Sequence, residues 1–102
     1  MRFLGLRLLQ LVPVLLLVSL ADGPKHGHAI LLDVESFAGV RMGPGTLYGA
    51  IGRLEADGLI EALPADGRRR PYRLTPIGHQ VLLDRLASLD ATVRAGLMRV
   101  AR

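Results

Sequence analysis

The chain reads as a mainly α-helical domain with one small β-hairpin and a long closing helix, and three observations predict it. Leu47, Ile51 and Leu54 recur at i, i+4 and i+7 behind Pro44, one apolar stripe at helical period. Residues 59–63 and 69–74 are short extended stretches flanking Pro64-Ala65-Asp66-Gly67, which is turn chemistry. Leu82, Leu86, Leu89 and Val93 follow one another at intervals of 4, 3 and 4, the seam of a helix that packs along another helix.

Composition narrows the class before any element is placed. With 102 residues there is room for one domain and a modest core. Half the residues are apolar but only 4% are aromatic, which fits a Leu/Ala/Val helical interior. The formal charge of +4 favours an anionic partner, either nucleic acid or a membrane surface. Cysteine is absent, so disulfides and thiolate zinc sites are excluded, and the chain suits a reducing, cytoplasmic compartment.

Residues 1–21 admit two readings. Arg2 and Arg7 precede an apolar run from Leu8 to Ala21, and Ser19-Leu20-Ala21 resembles a small-x-small cleavage site, so the segment imitates a secretory signal. The uncharged run is shorter than the roughly 20 residues a membrane span needs. Equally, Pro13 can open a helix from Val14 to Ala21 that is the buried first helix of a small bundle, the first helix as a whole covering about 4–21. Asp22-Gly23-Pro24 is then a turn. A second helix is expected over about 25–38, with Ile30, Val34 and Phe37 as its apolar stripe. Gly39 ends it, and residues 40–43 form a short connection.

The third helix is expected over about 44–57. Pro44 suits its first position, where a missing N–H costs nothing, and Gly58 gives it a left-handed stop. With the apolar stripe turned inward, Gly45, Gly49, Gly52, Arg53 and Ala56 face out, flanked by Thr46 and Tyr48. So lean and weakly charged a face suits close approach to another body. The hairpin over about 59–74 carries Arg68, Arg69, Arg70 and Arg73, with Tyr72 among them. Pro71 has no ladder donor, so the returning strand is expected to keep a free edge there. A tight helix pair followed by a basic ribbon is a winged helix-turn-helix: a helix for the major groove and a ribbon for the neighbouring phosphates. Thr75-Pro76 then starts the last helix, Thr as N-cap and Pro as first residue, running to about Met98, with Gly96 weakening its final turns. Its apolar face, widened by Leu83 and Leu97, either closes over the chain's own core or meets a partner subunit; its length favours the partner. The division expected is 1–74 as the winged helix-turn-helix domain and 75–102 as a C-terminal dimerisation helix.

Three stretches in register resemble the PadR family of bacterial transcriptional regulators: LADGPKHGHAI at 20–30, GPGTLYGAIGRLEADGLIE at 43–61 and DGRRRPYRLTPIG at 66–78. The resemblance implies a winged helix-turn-helix homodimer that binds a pseudo-palindromic operator, usually as a repressor, and dimerises through its last helix. With one such helix, the chain is similar to the short class of that family. By position, Thr46, Leu47 and Tyr48 match the start of the recognition helix, and Arg69, Arg70, Tyr72 and Arg73 match the basic wing. His28 departs from the family's usual tyrosine, and the first dozen residues extend beyond its usual start. The family fold uses the apolar residues before Asp22 as a core helix, so cleavage after Ala21 would remove that helix, which favours the bundle reading of the N-terminus.

The site residues expected to contact DNA are Lys25, Arg41, Thr46, Tyr48, Gly49, Arg53, Arg68, Arg69, Arg70, Tyr72 and Arg73. Those expected at a dimer interface are Leu82, Leu86, Leu89, Val93 and Leu97. His26 and His28 point apart at i, i+2 on a helix and gain no help from cysteine, so no metal or other cofactor is expected. Gly43-Pro44-Gly45 lacks the lysine and the leading strand of a phosphate loop, and no nucleophile–base pair appears, so no enzyme is expected. Family members sense aromatic or cationic apolar compounds, so the resemblance implies a small effector of unassigned identity. The competing function is an exported or membrane-associated small basic protein, with 1–21 as its signal segment and the arginines as a lipid-surface patch.

Overall fold

A computed structural model describes residues 2–102, with side chains from residue 11 onward; Met1 and the side chains of Arg2 and Arg7, which the signal reading invoked, lie outside the described set. The order is α1 (Arg2–Leu20), β1 (Lys25–His26), α2 (Gly27–Ala38), α3 (Pro44–Ala56), β2 (Ile60–Ala62), β3 (Pro71–Leu74) and α4 (Pro76–Val100). α1 runs through Pro13 instead of starting at it. A proline inside a helix forfeits one backbone bond, and here the helix is held by its neighbours. Val12, Val14, Leu16, Leu17 and Leu20 are buried with Ile30 and Val34 of α2, with Leu47, Ala50, Ile51 and Leu54 of α3, and with Ile60 and Leu82. The described second half of the segment that could be taken for a signal is part of the core. Phe37, expected on the apolar stripe of α2, is exposed instead, in the last turn of the helix.

The sheet has three strands where the sequence led us to expect two. Lys25 and His26 pair antiparallel with Tyr72 and Pro71, giving the order β1-β3-β2. β3 is therefore the central strand and has no free edge, a correction to the expectation at Pro71. The missing donor is accommodated because Pro71 opens the strand. Its carbonyl accepts from the Leu63 N–H at 2.8 Å, and the Leu63 carbonyl, which a residue-71 N–H would otherwise have reached, accepts from the Arg70 guanidinium at 3.3 Å. The hairpin closes with an Asp66–Arg69 bridge in which each N–H meets the other's carbonyl, at 2.8 and 3.1 Å.

The last helix is locked to the sheet at one end only. Thr75 caps α4, its Oγ1 accepting from the Gly78 N–H at 3.0 Å and donating to the Gly58 carbonyl at 2.6 Å. A Cβ at Gly78 would lie 1.8 Å from the Leu59 carbonyl oxygen, so only glycine lets the first turn approach this closely. Leu82 is buried one turn on, and every residue of the helix from Leu83 to Val100 is exposed. It continues past Gly96 to Val100.

Candidate nucleic-acid interface

α3 presents the face its sequence called for. Leu47, Ala50, Ile51 and Leu54 are buried, and Tyr48, Gly49, Gly52 and Arg53 are exposed, with Thr46 half-buried at the edge. Nothing lies within 4 Å of a Cβ placed at Gly45, Gly49 or Gly52, so the outer surface of the helix is open along its length.

The basic ribbon stands beside this helix. Tyr48 of α3, Arg68, Arg69 and Arg70 of the wing, Tyr72 of β3, and His26, Gly27 and His28 at the start of α2 line one cleft of about 410 Å³. The Tyr48 ring lies across Gly27 so closely that a Cβ there would sit 2.8 Å from its Oη. Among the described residues, Arg68 and Arg69 have no ion-pair partner, and Arg70 bonds only the Leu63 carbonyl. Burial pushes the Tyr72 phenol above its ordinary value, aided by the charge of Glu55 and opposed by Arg70, so the hydroxyl stays protonated and able to donate.

Three of the expected contacts are engaged elsewhere. Lys25 is a structural cation. Its Nζ donates to the Ser19 carbonyl at the end of α1 and to Asp22 Oδ1, and lies 3.9 Å from Asp33 Oδ2 on α2. Ser19, buried, donates its hydroxyl to the same Asp33 oxygen at 2.7 Å. One sign of this is legible in the chain, Asp22 three positions before Lys25. The Lys25 ammonium holds the Asp22 carboxyl below the usual carboxylate range. Arg73 is the cross-strand partner of Glu61 at 2.6 Å and, next to Tyr72 on the strand, points to the other face of the sheet, away from the cleft. Arg41 donates to Glu35 at 2.9 Å, and that carboxylate raises its already high pKa. Arg41 remains exposed on the surface, whereas Lys25 does not. In exchange the cleft contains three residues the sequence reading left out of the interface: His26, Gly27 and His28. Their signal was β1, which a run of two residues cannot announce.

At the other end of the molecule, Leu83, Leu86, Leu89, Val93, Leu97, Met98 and Val100 are exposed on α4. Leu82 is not available to a partner, being 3% exposed inside this chain's own core, a correction to its place in the expected interface. No group of three metal-ligating side chains occurs among the described residues.

Known proteins resemble this chain over its central region and over the fold. The profile of the transcriptional regulator PadR-like family matches residues 16–84. An uncharacterised 37.1 kDa protein in transposon TN4556 of Streptomyces fradiae is 52% identical over 69 residues, which cover 68% of this chain and 20% of that protein, so the chain spans about a fifth of that relative's length. The transcriptional regulator Rv3488 of Mycobacterium tuberculosis is 46% identical over 77 residues, covering 72% of this chain and 71% of the relative. A PadR family transcriptional regulator from Eggerthella lenta has a similar solved structure, with a TM-score of 0.75 at 25% identity over 99% of this chain and 91% of that one. With the family's profile matched from the second half of α1 into α4, and the winged helix in place between them, this chain belongs to the PadR-like family of transcriptional regulators.

Proposed function

We propose that the chain acts as a homodimeric repressor that binds a pseudo-palindromic operator in the cytoplasm and has no enzymatic role. The observation that carries the reading is the shared cleft: the exposed face of α3 and the unpaired arginines of the wing lie on one side of the molecule. A duplex with α3 in its major groove brings its backbone to Arg68, Arg69 and Arg70, which supply affinity by neutralising phosphates. Base selection falls to residues 46–53. Arg53 alone has long polar reach there, so the shape of the DNA carries much of the specificity.

Dimerisation follows from α4. Its 25 residues extend about 37 Å at 1.5 Å per residue, and the stripe of Leu86, Leu89, Val93 and Leu97 is exposed among the described residues. A second copy of the same helix, related by a two-fold axis, covers it and sets two α3 helices one DNA turn apart. A small apolar or aromatic effector that releases DNA belongs at the junction of the first and last helices of the two subunits. Scarce aromatics argue against a tryptophan-lined stacking pocket.

The exported, membrane-associated reading has little in its favour. Cleavage after Ala21 would take Val12, Val14, Leu16, Leu17 and Leu20 out of the core. No helix among the described residues is long and apolar enough to cross a membrane.

The test joins assembly to binding. In sedimentation equilibrium the parent chain should be a dimer and a Leu89→Asp/Val93→Asp variant a folded monomer with DNA affinity reduced at least tenfold, since half of the phosphate contacts are lost with the partner. A monomeric parent, or a monomeric variant that binds DNA as the parent does, would contradict the proposal.

A further inference from the structure

We propose that the cleft under the wing seats one phosphate of the DNA backbone and that His28 makes that contact proton-linked. The inference rests on the DNA-binding reading above and deepens it by naming how binding answers to pH. Three guanidinium-bearing residues line the cleft and no carboxylate does. Like charges gathered in a concavity repel one another and concentrate anions. The anion is a backbone phosphate because of what forms the walls: Tyr48 comes from α3 and Arg68, Arg69 and Arg70 come from the wing, so a strand lying against both passes over the opening. The protonated Tyr72 hydroxyl adds a neutral donor.

The two histidines have separate parts. His26 is the N-cap of α2, and its Nδ1 accepts from the Ala29 N–H at 3.4 Å. The His26 Nδ1 is thus already engaged by the helix cap. His28 is exposed, lines the cleft and has no hydrogen-bond or ion-pair partner among the described residues. The charged and titratable groups around it are Arg68, Arg69 and Arg70 from the wing, Tyr72 from β3, Tyr48 from α3 and His26 from the cap. Glu55 acts on Tyr72 but does not line the cleft, and Asp33, five residues along α2, is taken by Ser19 and Lys25. The anion that meets His28 is therefore the incoming phosphate. A phosphate favours the imidazolium, so binding takes up a proton and affinity is greater at low pH than at high pH.

The experiment measures anisotropy of a fluorescein-labelled random-sequence duplex with the full chain, near pH 6 and near pH 8, across a salt series, for the parent, His28→Gln and His26→Gln. The parent should bind roughly fivefold tighter per subunit at the lower pH, the worth of about one hydrogen bond. Its log–log salt slope should steepen by about one per subunit. His28→Gln should lose both differences, while His26→Gln keeps them. A pH response unchanged in His28→Gln, or lost instead in His26→Gln, overturns the proposal. Failure of the parent to bind duplex at either pH would be a different result, removing the DNA reading on which the inference stands.

Discussion

Lys25 and the arginines of the wing look alike in the sequence, and the fold puts them to opposite uses. Lys25 sits among a helix-end carbonyl, Asp22 and Asp33, with its side chain 20% exposed. Arg68 and Arg69 stand on a tight hairpin with no acid paired to them among the described residues. A basic residue is a candidate for an external anion only when the fold has not already given it one. Lys25 uses its charge to join α1 to α2, and the charge of Arg68 and Arg69 is left uncompensated among the described residues. Arg41 and Arg73 fall between, each bonded to one carboxylate but still open to solvent.

This contrast can be broken by substitution. The largest effect should come from Arg68→Ala/Arg69→Ala, which removes two unpaired cations from the cleft. DNA affinity should fall about thirtyfold per subunit, the equivalent of about 1 kcal/mol per contact, and the salt slope should flatten by about two per subunit. Thermal stability should not change. A slope equal to the parent's would mean that these arginines meet no phosphate.

Lys25→Ala should do the reverse. It strips the Ser19 carbonyl and Asp33 of a charged donor, so stability should drop by about 1–3 kcal/mol, while the salt slope of DNA binding stays as in the parent. The acid limb of stability should also change. Lys25 depresses the Asp22 carboxyl, so their interaction is present above the carboxylate's unfolded value and lost as pH falls through its folded one. The variant should lack that part of the acid-induced loss. Unchanged stability with a flattened salt slope would return Lys25 to the interface. Arg41→Ala should give the smallest response, with stability close to the parent's because the pair is exposed, and a change in salt slope of less than about one. A change of one full unit or more would place Arg41 on DNA with the wing.

What could be read from the chain itself follows the reach of each signal. α3 announced itself through Pro44, the Leu47–Ile51–Leu54 period and the glycine after it, all within one stretch of chain. The hairpin did so through its turn, and α4 through its Thr75-Pro76 start. β1 was not legible, because two residues make a strand only by pairing with Tyr72 and Pro71 far along the sequence. That omission also hid the position of His26, Gly27 and His28 beside the wing. Pro13 misled for a similar reason. Its local cost is real, but burial of α1 on three other helices outweighs it. Leu82 shares the spacing of the α4 seam, and only the docking of the first turn through Gly78 decides that it faces inward.

The central claim is that α3 and the wing bind one face of a duplex, twice, through a dimer. Footprinting the protein on the DNA upstream of its own gene across a salt series tests this most directly. Two protected half-sites centred about one helical turn apart (roughly 34–36 Å), fading together as salt rises, are the expected result. A single unpaired footprint, or protection that salt leaves untouched, would contradict it.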